Sequence, residues 1–505
     1  MTTRAVVWGA LAGVLAWGAD PPRFVPSEDC ALCHARIPAP GQSWNSGPWI
    51  GQYPLWSGSM MAHSSADPYW RAKVRFEVEQ APAQRKAIED TCLRCHAPMQ
   101  QYPTRATGRG LSVSDLAELG NDGVGCALCH QIQPQGLGVE SSFTANFEIG
   151  TGNLMFGPHR EPFTMPMLHH TGFEPREARH ILDSALCGTC HTVITQPLKS
   201  GAGAPARFVE QAPFLEWLAS GYPQAGKSCQ GCHMPPLESA QYIAHRPPGG
   251  AFPPTDPRTP FGRHEFIGGN AVIPRLLARL DPAQAAVLET TTQRAESQLE
   301  RSLKLQVSTR RQPGALLVDV AINNLAGHKL PTGFPSRRLW LRVALLDERQ
   351  STIWESGDWQ PESGRLRIGE GLQPHHLLIE KPEQVQIFEV EAVDARGRLT
   401  HSLLGSARQK KDSRILPMGF DRSRLTEKGL GALNIDPVGV KPGDDFRSGF
   451  ALTHYNLPLV QAGKGCRLVV EALYQTVKPE HRPADFALSP DLARPVVIAR
   501  VEQML

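Results

Sequence analysis

The spacing of apolar positions changes once along this chain. Before residue 300 the apolar residues fall in short runs three and four apart, interrupted by Gly and Pro, which predicts short helices over 69–79, 82–91, 114–119, 175–186 and 206–218. Asp67-Pro68 supplies an N-cap and a first-turn proline for the first of these. Residues 271–299 read as a longer helix, whole or broken at Asp281-Pro282. From Leu303 the rhythm becomes strand-like, in runs over 303–309, 315–322, 339–346, 385–393, 450–453, 467–474 and 496–501, several alternating as a sheet with one wet face should. The expectation is a multidomain chain: a mainly α, loop-rich domain over 20–245, a linker and helical segment over 246–300, and an all-β, sandwich-like domain over 301–505. Pro247-Pro248 and Pro253-Pro254 keep the linker from being helical throughout.

Cysteine placement adds chemistry to this outline. Ten of the 11 cysteines fall into five units of one form: Cys30-Ala31-Leu32-Cys33-His34, Cys92-Leu93-Arg94-Cys95-His96, Cys126-Ala127-Leu128-Cys129-His130, Cys187-Gly188-Thr189-Cys190-His191 and Cys229-Gln230-Gly231-Cys232-His233. Two thiols three positions apart can each form a thioether to one macrocycle, and the next residue then delivers an imidazole beneath the iron. A zinc ribbon uses its pairs two at a time and has no need of a histidine after each. A redox dithiol wants a single pair near a βαβ unit. The pattern therefore predicts five covalently attached c-type haems, each with iron on His34, His96, His130, His191 or His233. Their uneven spacing shows no internal repeat. Cys466, at the start of an apolar run, reads as a small buried residue of a strand.

Histidine is abundant beyond these five, with 18 in all, and a second axial imidazole would make each haem low-spin. Candidates are His63, with Met60 and Met61 competing; His169 or His170, not separable by position; His180, on the expected 175–186 helix; His264, in Gly262-Arg263-His264-Glu265-Phe266-Ile267-Gly268; and His328, in a tight loop between two strand-like runs. His159 reads as exposed or propionate-contacting, and His245, His375, His376, His401, His454 and His481 as ordinary surface or core residues.

The N-terminus carries Arg4, an apolar run from Ala5 to Trp17 and small residues at Gly18-Ala19, the form of an export signal over 1–19. That run is shorter than the roughly 20 residues a membrane span needs. The expectation is a periplasmic or extracellular protein, soluble after signal cleavage. With 41% hydrophobic and 20% charged residues the chain is an ordinary folded one. Its formal charge of +3 is offset by haem propionates, and no basic stripe interleaved with aromatics points to nucleic acid.

Several segments together resemble the multihaem cytochrome c family of the cytochrome c-554-like kind, in particular members with a β-rich C-terminal domain. They are 57–70, 91–98, 122–130, 187–191, 229–235, 264–269 and, most distinctive, Gly327-His328-Lys329-Leu330-Pro331-Thr332-Gly333-Phe334-Pro335-Ser336-Arg337. The resemblance implies an electron carrier outside the cytoplasm, with His264 and His328 as axial ligands. Its partners would be redox-protein donors and acceptors, and the β domain would additionally dock a membrane complex or subunit. The rival expectation is an oxidoreductase acting on a small nitrogen or sulfur compound at one five-coordinate haem, with His159, Arg160 or Tyr53 as proton donors. A pentahaem nitrite-type reductase would replace one proximal His by Lys, and all five units here end in His.

Overall fold

The computed structural model describes residues 23–43, 48–197, 207–245, 256–368, 372–458 and 465–505. The expected signal over 1–19 and the diproline segments of the linker lie outside the described residues.

The N-terminal part is helical and loop-rich, as its punctuation demands. Asp67 caps the helix Pro68–Gln80, its carboxylate accepting from the Tyr69 and Trp70 backbone N–H groups. The next helix, Arg85–His96, runs directly through the second Cys-x-x-Cys-His unit. Helices Ser27–His34 and Cys229–His233 likewise end on the histidine of their unit. Side-chain packing here is confined to small clusters. One of them, around Met99, Leu128, Phe147 and Phe173, is flanked by Cys95, Cys129 and Cys190.

Three expected helices form only in part. Over 114–119 the chain makes a 3-10 turn, Val113–Asp115, and then a short helix, Glu118–Asn121. Over 175–186 the chain instead makes a strand, Glu174–Glu177, parallel to Leu154–Gly157, then a 3-10 turn, Arg179–Leu182, and a fresh helix, Ser184–Gly188. Asp183 causes the break, because its side chain caps the new helix by accepting from the Ala185 N–H. Within 206–218 the strand Phe208–Gln211 precedes a helix that starts only at Pro213, a residue that disfavours helix in the position before it. The long helix is broken as the sequence allowed, into Ile273–Leu280 and Ala285–Glu300. The second piece buries Leu288, Thr292, Ala295 and Leu299 along one face.

The C-terminal part is dominated by two large sheets. A seven-stranded sheet has the central order Leu399–Thr400, Ile387–Val393, Arg338–Leu346, Arg467–Gln475, Val496–Met504. A five-stranded sheet has the order Leu378–Ile379, Phe450–Pro458, Ala315–Asn324, Leu303–Gln312. Between them, Leu316, Val318, Val320 and Ile322 of one sheet meet Leu339, Leu341, Val343 and Leu345 of the other, every second residue pointing inward. Cys466 is buried in this core. The strand Arg338–Leu346 has no wet face, because Trp340, Ile387 and Leu473 form a second cluster behind it.

Side chains from both parts interleave. Tyr69 meets Phe334 edge-on and packs on Phe486. Glu77 accepts from the Ser402 hydroxyl and from the Leu403 N–H.

Candidate haem centres

The five Cys-x-x-Cys-His units converge in space. The thiol of Cys30 lies against that of Cys126, Cys95 against Cys190, and Cys187 against Cys229. Cys129 in turn neighbours both Cys187 and Cys190. The fourth unit is therefore a hub that touches the second, third and fifth, and the first unit adjoins the third. Short polar bridges fix these junctions. Ser27 donates to Asp122 and accepts from the Cys126 N–H at 3.1 Å, and Ser184 accepts from the Cys229 N–H at 3.0 Å.

The histidines of the units are oriented from outside. His34 Nδ1 faces the Ile243 carbonyl at 2.7 Å, His96 the Ser64 carbonyl at 2.7 Å and His130 the Phe156 carbonyl at 2.5 Å, while His233 Nδ1 faces Ile267. A carbonyl only accepts, so Nδ1 carries the proton and Nε2 keeps its lone pair, the tautomer an iron ligand requires. His191 is held differently, amid burial that lowers its pKa to about 4 with His233 and Arg337 beside it. Trp70 stacks flat on His96, with ring centroids 4.4 Å apart.

Two of the expected axial histidines face a histidine of a unit. His264 and His130 have ring centroids 6.3 Å apart and planes within 11°; His328 and His233 have centroids 6.3 Å apart and planes within 13°. Rings in van der Waals stacking would lie far closer. Two metal–nitrogen bonds of about 2 Å, with about 1.1 Å from each nitrogen to its ring centre, span about 6.2 Å. The separation fits one metal ion between two imidazoles. His264 and His328 are also held through Nδ1, by the Gly262 and Lys329 carbonyls at 2.9 Å each. Burial lowers both pKa values to about 4, so both rings are neutral bases at neutral pH.

The His328 loop is clamped by the β-rich region. The Asn324 side-chain amide donates to the carbonyls of His328, Ile415 and Leu416 at 2.9, 3.0 and 3.1 Å. Gly327 lies on Tyr222, whose ring is 3.0 Å from where a Cβ would stand, so a larger residue would push that ring aside. The neighbouring Lys329 is fully buried and paired with Asp412 at 2.6 Å, and Arg414 joins that carboxylate to Glu216.

The remaining candidates are placed differently, and one of them, His180, neighbours His130. His63 and His180 turn Nε2, not Nδ1, to a carbonyl, that of Ser57 at 3.0 Å and that of Ile132 at 2.8 Å, and so keep the lone pair on Nδ1. His180 sits on the 3-10 turn edge-on to Phe156, not on a helix. His169 and His170 occupy the last turn of the helix Thr164–Thr171 and are exposed, His170 facing the Asp29 carbonyl beside the first unit. Tyr53 neighbours Glu28, Asp122 and Cys126, whereas Arg160 pairs with Glu177 and His159 lies by Arg258. His245, read as ordinary, in fact joins the first unit, both its backbone N–H and Nδ1 meeting the Cys33 carbonyl. Nothing in its flanking sequence signals that position.

Residues 29–131 match the family described as cytochrome c554 and c-prime. No curated protein sequence matches the chain. Among solved structures the chain is similar to a penta-heme cytochrome c552 from Thermochromatium tepidum, with a TM-score of 0.58 and 18% identity over 96% of this chain and 100% of that one. Among the described residues no helix is long and apolar enough to cross a membrane.

Proposed function

We propose that this chain is a multihaem c-type cytochrome that carries electrons among five covalently bound haems outside the cytoplasm; the family match over residues 29–131 and the fold shared with a penta-heme cytochrome c552 support this reading. Each haem would be held by the two thiols of its unit and by His34, His96, His130, His191 or His233. When bound, the groups supply reversible one-electron chemistry; the protein supplies position, axial ligand and dielectric.

The observation that carries this reading is the pair of facing imidazoles, His130 with His264 and His233 with His328. An iron with two imidazoles has no open site, which suits transfer and not substrate binding. The carbonyls on Nδ1 of these residues fix the tautomer that leaves Nε2 free, and raise the basicity of the ring. Sixth ligands of the other three haems would come from His63, His169, His170 and His180, with His63 and His180 offering Nδ1.

The contacts among units support a branched route. Electrons entering at the first or second unit would meet at the fourth through Cys129 and Cys190, and leave by the fifth, whose Cys232 is exposed. Donor and acceptor would be other redox proteins meeting exposed haem edges over small transient interfaces.

Paramagnetic resonance of the oxidised holoprotein tests this. Low-spin signals alone support the carrier. A high-spin signal amounting to one haem per chain would favour the oxidoreductase reading.

A further inference from the structure

Away from the haem units, a buried cluster of ligating side chains lies where the β-rich region meets the helix Pro68–Gln80. Glu391 of the strand Ile387–Val393, His401 just past Leu399–Thr400, and His481 of the 3-10 turn Pro479–His481 bring one carboxylate oxygen and two ring nitrogens within 4.8 Å of one another. His401 Nε2 is 3.8 Å from Glu391 Oε2, and the two imidazole centroids are 4.4 Å apart.

Three features distinguish this cluster from a packed polar core. His481 is 5% exposed, and neither of its ring nitrogens has a hydrogen-bond partner. Leaving such a buried group unsatisfied is costly, and a bound ligand removes that cost. Glu391 divides its oxygens, Oε1 taking the Lys478 ammonium while Oε2 turns to His401. His401 is held by the Glu480 backbone carbonyl, the kind of outer support that metal-bound imidazoles carry.

Each surrounding cation has a carboxylate partner, although Lys478, Lys73 and Arg338 still lower the His481 pKa. Lys478 also pairs with Glu389, Lys411 pairs with Glu389, Lys73 pairs with Glu77, and Arg338 pairs with Glu480. Burial keeps both imidazoles neutral, His401 at about 4 and His481 well below the ordinary histidine value.

We propose that Glu391, His401 and His481 form a structural site for a divalent transition cation of the zinc class, with water in the fourth position. Two imidazoles and one carboxylate suit zinc better than magnesium or calcium. Tetrahedral zinc with bonds of about 2 Å sets its ligands about 3.3 Å apart, so small side-chain rotations close the cluster. The cation fastens the 401 segment and the 479–481 turn to the sheet. It thereby stiffens the seam with the helix Pro68–Gln80, where Lys73 donates to the His401 carbonyl at 2.8 Å and the Tyr69 hydroxyl to the His481 carbonyl at 3.2 Å.

Metal analysis of holoprotein matured in an exporting host and dialysed against metal-free buffer tests the site. One zinc per chain is expected, falling at least about tenfold in His401→Gln, His481→Gln and Glu391→Gln with iron unchanged. Zinc ion added to chelator-treated wild type should raise Tm by several degrees, a readout that stands even where a variant fails to fold. Wild type that neither carries zinc nor gains stability from it overturns the proposal, as do variants that keep wild-type zinc. Copper, nickel or manganese at one per chain would overturn the assignment to zinc.

Discussion

His130 and His264 face each other across 6.3 Å with ring planes 11° apart, although they stand 134 positions apart in the chain. Replacing His264 by Ala should leave covalent haem content unchanged and turn the third haem high-spin, about a fifth of the total iron. His328→Ala should do the same to the fifth haem. Paramagnetic resonance beside a haem assay reads both, and fully retained low-spin character would reject the residue as a ligand.

Asn324 joins three carbonyls, one of them that of His328. Asn324→Leu leaves the His328 carbonyl without its donor, while the Ile415 and Leu416 carbonyls keep the Leu330 and Gly449 N–H groups, and should cost about 1–3 kcal/mol. It should also shift the midpoint potential of one haem, because the His328 loop loses its clamp. Thermal melting and a potentiometric titration check the two effects separately.

Asp412 is wholly buried, which alone would raise its pKa, yet Arg414 and Lys329 hold it at about 2 against an ordinary value of 3.8. A carboxylate depressed on folding stabilises the native state above its unfolded pKa, and that contribution is lost as pH falls from about 4 towards 2. Asp412→Ala strands the buried Lys329 ammonium, while Arg414 keeps Glu216, and should cost about 3–5 kcal/mol near neutral pH. Denaturant melts at pH 7 and pH 3 should show a smaller gap between variant and wild type at the lower pH.

Glu210 shows the opposite sign. Burial first, and Glu77 beside it second, raise its pKa to about 8 from 4.5, Lys73 opposing. The folded state therefore holds a proton that the unfolded state releases, and stability falls as pH rises from 4.5 to 8. Glu210→Gln should flatten that decline and gain about 2 kcal/mol at pH 8, with no gain at pH 4. Melting temperatures across this range decide it.

The parts of the molecule legible in the sequence are those with a local cause. Apolar, strand-like runs over 315–322 and 467–474 mark the strands Ala315–Asn324 and Arg467–Gln475, and Asp67-Pro68 marks a helix start. The 175–186 segment misled because Asp183 ends one element and caps the next, and because the parallel pairing of Glu174–Glu177 with Leu154–Gly157 is set by tertiary contact. The carbonyls of Ile243, Ser64, Phe156 and Ile267 that orient the unit histidines come from other segments of the chain and carry no side-chain signature. The clustering of His401, His481 and Glu391 is equally invisible, since three separate segments contribute one residue each.

The most direct test is the intact mass, under denaturing conditions, of protein matured in a host that attaches haem. Five covalent haems per chain, lost one at a time when a unit's two cysteines are changed to alanine, is the predicted result. A mature chain with fewer than five, or with none, would contradict it.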